Sequence, residues 1–145
     1  MTVPPRTVPD RTVPDRTVPD GVTLRPVTEA DRPFLVALYA TTRADLALLP
    51  VAGDQRDALV AMQFRAQDQH YRQLHPDASF DIVEVAGRPG GRLYVDRGTA
   101  EIRIIDISLL PEHRGAGIGA ALIRGVQDQA AATCRTVSLH VAMDN

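Results

Sequence analysis

The 145-residue chain has 44% apolar residues, 23% charged residues and a formal net charge of −2, a composition typical of a folded globular protein. The near-neutral charge argues against a nucleic-acid partner bound through bulk positive charge. No apolar run approaches the roughly 18 residues that a membrane span needs, and the N-terminus has no signal- or transit-peptide pattern. A single cysteine, Cys134, excludes an internal disulfide, and the four histidines lack the spacing of a metal site. We therefore expect a cytoplasmic protein with no metal and no membrane partner.

The first twenty residues differ in composition from the rest of the chain. Residues 6–20 are three tandem copies of Arg-Thr-Val-Pro-Asp, in which a proline every fifth residue removes an amide donor. One valine per repeat cannot offset the entropy lost on ordering the segment. We predict a disordered tail over residues 1–20, either without function or serving as a partner-binding arm. The remaining residues, 21–145, are enough for one domain with one core.

The first half of this domain begins with a strand and continues with two helices. Residues 22–27 alternate as a short strand, and Pro26 favours the edge of a sheet. Thr28 can cap a helix that begins at residues 29–31, because its hydroxyl can accept from the first free amides. A second helix is predicted over residues 54–74, where apolar side chains recur at helical spacing.

The second half changes to the period-2 alternation of strands, with one more helix near its end. Pro-Gly-Gly within residues 88–91 predicts a hairpin turn between the first two strands. The order β-α-α-β-β-β-α-β, with hairpins before a single β-α-β crossover, predicts an α+β fold with a mixed sheet. The predicted elements are strands over residues 79–86, 92–96 and 101–110, a helix over 116–132 and a strand over 136–141.

The strand over residues 101–110 changes the face on which it carries apolar side chains. Ile102 and Ile104 share one parity, whereas Ile105, Ile107 and Leu109 share the other. A strand can change parity and keep one face buried only by inserting a residue, which is a β-bulge. The alternative is a strand buried on both faces. A bulge would free main-chain groups with which a ligand could pair.

A glycine-rich loop, Arg114-Gly-Ala-Gly117-Ile-Gly119, follows this strand and leads directly into the next helix. Glycines let the backbone approach a ligand closely, and a helix start offers free N–H groups suited to a pyrophosphate. The Gly-x-Gly-x-x-Ala pattern, with Asp144 as a ribose-binding acid, also fits a nucleotide-binding α/β fragment. However, Pro-Glu-His-Arg separates the strand from the loop, unlike in dinucleotide folds. No Gly-Lys-Ser/Thr follows, which excludes a P-loop.

Arg114-x-x-Gly117-x-Gly119, preceded by a bulged strand and Leu-Pro-Glu-His, resembles motif A of the GNAT superfamily of acyl-CoA-dependent N-acyltransferases. Together with the order of elements, the resemblance covers about residues 22–145 and implies a GNAT-like fold that uses acetyl-CoA. It implies that Ile107, Ser108 and Leu109 line the pantetheine arm of that co-substrate. The residues implied to cradle its phosphates are Arg114, Gly115, Ala116, Gly117, Ile118 and Gly119.

Acetyl transfer from a thioester to an amine requires that the amine lose a proton and that an oxyanion be stabilised. Glu101 and Asp106 are the candidate bases on the predicted strand. Ala100-Glu101-Ile102 is similar to the same strand in histone-acetylating members of the family, where a glutamate serves as the base. The alternatives are a strand-end ion pair with Arg103 for Glu101 and a bulge-capping role for Asp106.

The acceptor side of the reaction is less defined by the sequence. The resemblance implies that the second helix flanks the acceptor groove, where Phe64, Gln67 and Tyr71 recur at helical spacing. Core packing is the alternative for Phe64 and Tyr71. In the family, the chain continues past the last strand with an asparagine, a tyrosine-bearing helix and two strands. Asn145 matches that asparagine, which implies contact with the co-substrate, and the remaining elements are expected to be missing here.

The sequence thus predicts an N-acetyltransferase that moves an acetyl group from acetyl-CoA to a primary amine of a small molecule or peptide. A non-catalytic acyl-CoA-binding module, including an inactive truncated form, is the first alternative. A nucleotide-binding fragment is the second. Homodimerisation is left open.

Overall fold

The computed structural model describes residues 20–139; residues 1–19 of the predicted tail and Asn145 lie outside the described residues, as does the end of the last predicted strand. Two short 3-10 turns are also present. Glu29–Asp31 directly precedes the first α-helix, and Pro111–His113 directly precedes the glycine-rich loop. The strands and helices, in chain order, are β1 (Val22–Pro26), α1 (Arg32–Thr41), α2 (Ala44–Ala47), α3 (Gly53–Leu74), β2 (Ser79–Val85), β3 (Arg88–Arg97), β4 (Glu101–Leu109), α4 (Ile118–Ala132) and β5 (Thr136–Leu139).

The strands form one five-stranded sheet in the order β1-β2-β3-β4-β5. The first three pairings are antiparallel and the last, between β4 and β5, is parallel because α4 crosses between them. The predicted α+β class with a mixed sheet is confirmed. Pro26 lies in β1 at the sheet edge, as its missing amide donor predicts.

The core has two parts, one on each face of the sheet. Residues four apart on α4 form an apolar stripe that packs on one face, which carries Ile102 and Ile104 of β4. The opposite face is covered by α1, α2 and α3, where Leu35, Tyr39, Leu46, Val60, Phe64 and Ile82 are buried together. Because strand side chains alternate, the residues of β3 and β4 that do not face α4 face α3.

The predicted hairpin turn at residues 88–91 is wrong. The turn between β2 and β3 is Ala86–Gly87, and both residues have positive φ, 52° and 78°. Two consecutive positive φ angles suit the twist of a tight hairpin. The Pro-Gly-Gly segment instead belongs to β3, where Gly90 is the extra residue between the pairs Val83–Gly91 and Glu84–Pro89. Proline and glycine therefore mark a bulge here rather than a turn.

The bulge predicted in the fourth strand is confirmed. Tyr94 pairs with Asp106 and Val95 pairs with Ile104, which leaves Ile105 without a partner on β3. The inserted residue lets Ile104 and Ile107 keep the same face toward α4, although their parity differs. It also turns Asp106 toward α3, onto the same face as the pair Arg92–Ser108.

Two helix predictions need correction. The helix predicted from residue 116 begins at Ile118, because Gly117 has a left-handed φ of 83° that a helix cannot contain. The four-residue α2 was not predicted, since so short a segment shows no periodicity. Among residues 20–139, no helix combines the length and apolarity needed to cross a membrane.

The entry to α1 depends on a buried carboxylate, Asp31. Arg25 donates to both of its oxygens, at 2.7 and 2.8 Å, and the Thr28 amide donates at 2.7 Å. The hydrogen bonds from Arg25 hold the pKa of Asp31 well below its usual range, although burial opposes the shift. These bonds link Arg25 of β1 to Asp31 at the start of α1, and they favour the ionised form of the carboxylate.

We expect Asp31→Asn to lower the free energy of unfolding by about 2 kcal/mol, since it removes a cap and a charge-assisted pair. The folded pKa is below the unfolded value, so the stabilisation is present above about pH 3.9 and is lost as the pH falls below it. Urea unfolding at pH 7 and pH 3 measures this. Asp128→Asn on the exposed side of α4 is the control; an equal loss in both variants would contradict the prediction.

Candidate functional site

A buried arginine lies at the centre of the sheet face that α3 covers. The Arg92 side chain is 2% exposed, and its Nη2 donates to Gln67 Oε1 on α3 at 2.8 Å and to Asp106 Oδ2 on β4 at 2.9 Å. Its Nε donates to the other oxygen of Asp106 at 3.2 Å. The guanidinium also lies over the ring of Tyr94, 5.0 Å from its centroid.

Asp106 receives hydrogen bonds from three side chains. Besides Arg92, the Ser108 hydroxyl donates to its Oδ1 at 2.7 Å and the Tyr71 hydroxyl donates to its Oδ2 at 3.3 Å. Burial and the charge of Asp106 raise the pKa of Tyr71 to about 12, so its hydroxyl keeps the proton that it donates. Gln67, Tyr71, Arg92, Asp106 and Ser108 are called the polar network below.

The polar network contains one ion pair, in which the cation is almost fully buried and the carboxylate is partly buried. Burial by itself would lower the pKa of Arg92, but the negative charge of Asp106, its hydrogen bonds and the nearby Tyr94 together outweigh burial, so the pKa is raised. Burial also raises the pKa of Tyr94. Arg92 Nη1 and the Tyr94 hydroxyl are buried, and neither has a hydrogen-bond partner within residues 20–139. The arrangement fixes β3, β4 and α3 to one another next to the bulge.

The structure brings all three predicted acceptor residues to this network. Gln67 and Tyr71 bond directly to its charged pair. Phe64 is buried, packs edge-on against Tyr39 at 5.9 Å and lies 5.7 Å from the Arg92 guanidinium. Phe64 is therefore part of the core, which was the alternative to a position in the acceptor groove. Gln67 and Tyr71 form polar contacts on the face of α3 that packs against the sheet.

The two predicted bases have different environments. Asp106 is half-buried and engaged with Arg92, as the bulge-capping alternative requires. Glu101 is exposed at the first position of β4, where the Ser138 hydroxyl of β5 donates to its carboxylate. Arg103 is exposed and forms no ion pair with Glu101 in the described part of the chain. Glu101 thus lies at the start of β4, whereas Asp106 lies within the strand, directly after the bulge.

The glycine-rich loop leads into α4 with its main chain exposed. Gly115 and Gly117 have φ of 78° and 83°, and nothing lies within 4 Å of the position that a Cβ would take at either. Ile118 buries its side chain in the core, so only its amide is available at the loop. The first intrahelical bond runs from the Ala121 amide to the Gly117 carbonyl, at 3.0 Å. The preceding amides have no partner inside the helix.

Arg114 ties this loop to α1. Its Nε donates to the Leu109 carbonyl at 2.9 Å, and its Nη2 donates to the Thr41 hydroxyl at 3.0 Å. The side chain is exposed, so one edge of the guanidinium faces solvent. A cation therefore stands at the rim of the free helix amides, and its position is set by the last turn of α1.

The predicted pantetheine contacts lie on β4 beyond the bulge. Ile107 and Ser108 pair with Leu93 and Arg92 of β3, and Leu109 pairs with Gly91. On the other side, the described pairs with β5 run from Glu101 to Ile104. Within residues 20–139, no strand pairs with that edge of β4 after Ile104. The predicted contact at Asn145 lies outside the described residues.

Sequence reasoning missed Arg92 and a second polar pair, His75 and Asp96. His75 Nδ1 lies 2.7 Å from Asp96 Oδ2, at the point where α3 ends above β3. The signal was present in the strand predicted over residues 92–96. Its apolar positions alternate with Arg92, Tyr94 and Asp96, which defines a polar face, but nothing local shows that α3 covers that face.

A separate cavity of about 300 Å³ lies between α1, α2 and α3. Its walls are mainly apolar, with Arg43, Arg56 and Asp57 among the lining residues. Arg43 pairs with Asp45, and Arg56 donates to carbonyls at the end of α2. No residue of the polar network lines this cavity.

Comparison with known families gives a match over most of the chain. The family described as "Acetyltransferase (GNAT) family" matches residues 49–145, which include the bulged strand and the glycine-rich loop. No curated protein matches the sequence significantly.

Solved acetyltransferase structures share the fold at low sequence identity. The PaiA N-acetyltransferase from Thermoplasma acidophilum, in complex with coenzyme A, is 13% identical with a TM-score of 0.56, covering 86% of this chain and 81% of that one. RimL, a ribosomal L7/L12 alpha-N-protein acetyltransferase, is 15% identical with a TM-score of 0.57, covering 88% and 71%. The ribosomal-protein-alanine N-acetyltransferase from Brucella melitensis is 19% identical with a TM-score of 0.53, covering 84% and 81%.

Proposed function

Because the chain belongs to the GNAT acetyltransferase family, we propose that it transfers an acetyl group from acetyl-CoA to a primary amine of a small molecule or peptide. The observation that carries the proposal is the bulged strand β4 followed by a loop with two positive-φ glycines at the start of α4. The bound coenzyme A in the PaiA structure supports the same use of this fold here.

The loop residues suit a pyrophosphate. The absence of side chains at Gly115 and Gly117 leaves the surface open, so a phosphate can reach the amides of the first turn of α4. The exposed edge of Arg114 adds a positive charge on the same side. We assign the loop from Arg114 to Gly119 to the phosphates, with the main chain rather than the side chains of Ala116 and Ile118 making the contacts.

The strand after the bulge suits the pantetheine arm. An extended arm carries amide groups that can pair with the edge of β4 at Ile107–Leu109, which no strand within residues 20–139 occupies, as a further strand would. The bulge at Ile105 then directs a main-chain amide toward the thioester, where it can donate to the oxyanion. In this arrangement the amine nitrogen attacks the carbonyl carbon, the C–S bond breaks and the sulfur leaves as a thiolate.

The proton of the attacking amine needs an acceptor near the bulge. Asp106 is close to it, but its oxygens already accept from Arg92, Tyr71 and Ser108, so we assign Asp106 to holding the strand in place. The exposed carboxylate of Glu101 can accept a proton, but Glu101 is the first residue of β4, four positions before the inserted residue. Glu101 therefore stays one candidate for the base, alongside any other proton acceptor on the same face of the sheet.

Calorimetry with CoA, acetyl-CoA and NAD tests the binding part of the proposal. We expect CoA and acetyl-CoA to bind with similar affinity, because both carry the pyrophosphate and pantetheine, and we expect no heat from NAD. Binding of NAD without binding of CoA would contradict the proposal and favour the nucleotide-binding alternative. Thiol release from acetyl-CoA with a panel of primary amines then separates an enzyme from a module that only binds acyl-CoA.

A further inference from the structure

A histidine–carboxylate pair lies on the α3 face of the sheet outside the polar network. His75 follows the last residue of α3, and its amide donates to the Tyr71 carbonyl at 2.9 Å while its own carbonyl accepts from Ala78 at 3.1 Å. These bonds fix the backbone, and the 2.7 Å contact with Asp96 fixes the ring. The two side chains are 18% and 31% exposed, so both are within reach of a solute.

The pair lies beside the bulge. Asp96 of β3 is opposite Arg103 of β4, which is opposite Ser138 of β5. Paired residues point to the same side of a sheet and have Cα atoms about 5 Å apart, so the three side chains form a row on the α3 face. The next residue pair along β3 and β4 is Val95–Ile104, which adjoins the unpaired Ile105. His75 therefore borders the same surface as the main-chain groups that the bulge frees.

The chemistry of the pair defines the free nitrogen of the ring. An ionised Asp96 can only accept a hydrogen bond, so a neutral His75 must carry its proton on Nδ1 and leave a lone pair on Nε2. In the described part of the chain, no group bonds to Nε2. A carboxylate that orients an imidazole in this way prepares the opposite nitrogen to take up a proton.

We propose that His75, oriented by Asp96, accepts the proton of the acceptor amine; this rests on the proposed function. The amine proton moves to Nε2 as the amine nitrogen forms its bond to the thioester carbonyl carbon. The C–S bond breaks with its electron pair on sulfur, and the imidazolium returns its proton to that thiolate or to solvent. The step needs no oxidant or reductant. Asp96 is a positioning residue in this scheme, while Glu101 holds the strand end through Ser138.

Steady-state release of CoA thiol from acetyl-CoA tests the role, with the most active amine of a panel of polyamines, amino sugars and short peptides as acceptor. We expect His75→Gln to lower kcat about a hundredfold or more, with the KM for acetyl-CoA unchanged. Asp96→Asn should lower kcat by a smaller factor. His70→Gln, on an exposed position of α3, is the matched control and should match the wild-type protein.

Two outcomes would overturn the proposal. One is a kcat for His75→Gln within twofold of the wild type, and the other is a full loss in Glu101→Gln with His75→Gln active. Nitrogen NMR of the wild-type ring at pH 8 gives a check that does not depend on the folding of a variant. We expect a protonated Nδ1 and an unprotonated Nε2, and the reverse would refute the assignment. If the wild-type protein releases no thiol with any amine, the proposed function itself fails.

Discussion

Replacing Asp106 by asparagine is expected to lower the free energy of unfolding by about 3–5 kcal/mol, the largest stability change that we predict. The variant keeps the shape of the side chain but leaves the Arg92 guanidinium, 2% exposed, without an opposing charge. A buried charge that loses its partner carries the whole cost of its desolvation. Urea unfolding monitored by circular dichroism at pH 7 measures the effect.

Asp45→Asn is the matched control for this variant. The Arg43–Asp45 pair has nearly the same length, 2.8 Å, but the Asp45 side chain is 64% exposed, so its loss should change the free energy of unfolding far less. The double variant Arg92→Met with Asp106→Asn should be more stable than Asp106→Asn alone, because it removes the uncompensated charge. A cost for Asp106→Asn no larger than that for Asp45→Asn would show that the polar network does not hold β4.

The bulge in β4 shows how much of the fold the sequence carries. The parity change was visible because the two adjacent positions, 104 and 105, are both isoleucine, and the polar positions of the strand change parity at the same point. The order of the elements was predictable because each element shows its own local periodicity. The edge position of β1 was predictable because Pro26 lacks an amide donor. The hairpin turn was not, because Ala86 adopts a positive φ that alanine rarely takes.

The site was predictable only where a single segment forms it. The glycine-rich loop needs one stretch of backbone, so its glycines and the helix start could be identified from their order alone. Arg92, by contrast, contacts residues on α3 and β4 that are 25 and 14 positions away. His75 meets Asp96 across 21 positions. Such pairs depend on how α3 crosses the sheet, which no local pattern encodes.

The same contacts give a physical reason for the separate roles of Asp96 on β3 and Asp106 on β4. Asp106 faces a permanent cation and two hydroxyl donors, so its charge serves to hold α3, β3 and β4 together beside the bulge. Asp96 faces a histidine that can exist with or without an extra proton, so its charge can act on a proton transfer. The Arg92–Asp106 pair, which supports the strands, and the His75–Asp96 pair, which can exchange a proton, thus lie on one face of the sheet, a few residues apart.

Gly117→Val is expected to weaken CoA binding about a hundredfold, equivalent to about 3 kcal/mol, while the fold persists. Gly117 has a φ of 83° and nothing lies within 4 Å of the position of a Cβ, so the valine meets no protein atom. It instead covers the surface where the amides of α4 would meet the pyrophosphate, and it strains the loop that presents them. Calorimetry with CoA gives the affinity, and thermal unfolding gives the stability.

Gly87→Val separates the loss of binding from the strain of the substitution. Gly87 has a similar φ of 78° and equally open surroundings, but it lies in the β2–β3 turn and not in the loop that leads into α4. Both variants place a branched side chain in the left-handed region, so both should lose similar stability. Only Gly117→Val should lose affinity for CoA, because only there does the new side chain stand between a phosphate and the helix start. If the folded Gly117→Val protein bound CoA as tightly as the Gly87→Val protein, the loop would be only a turn and not a phosphate-binding site.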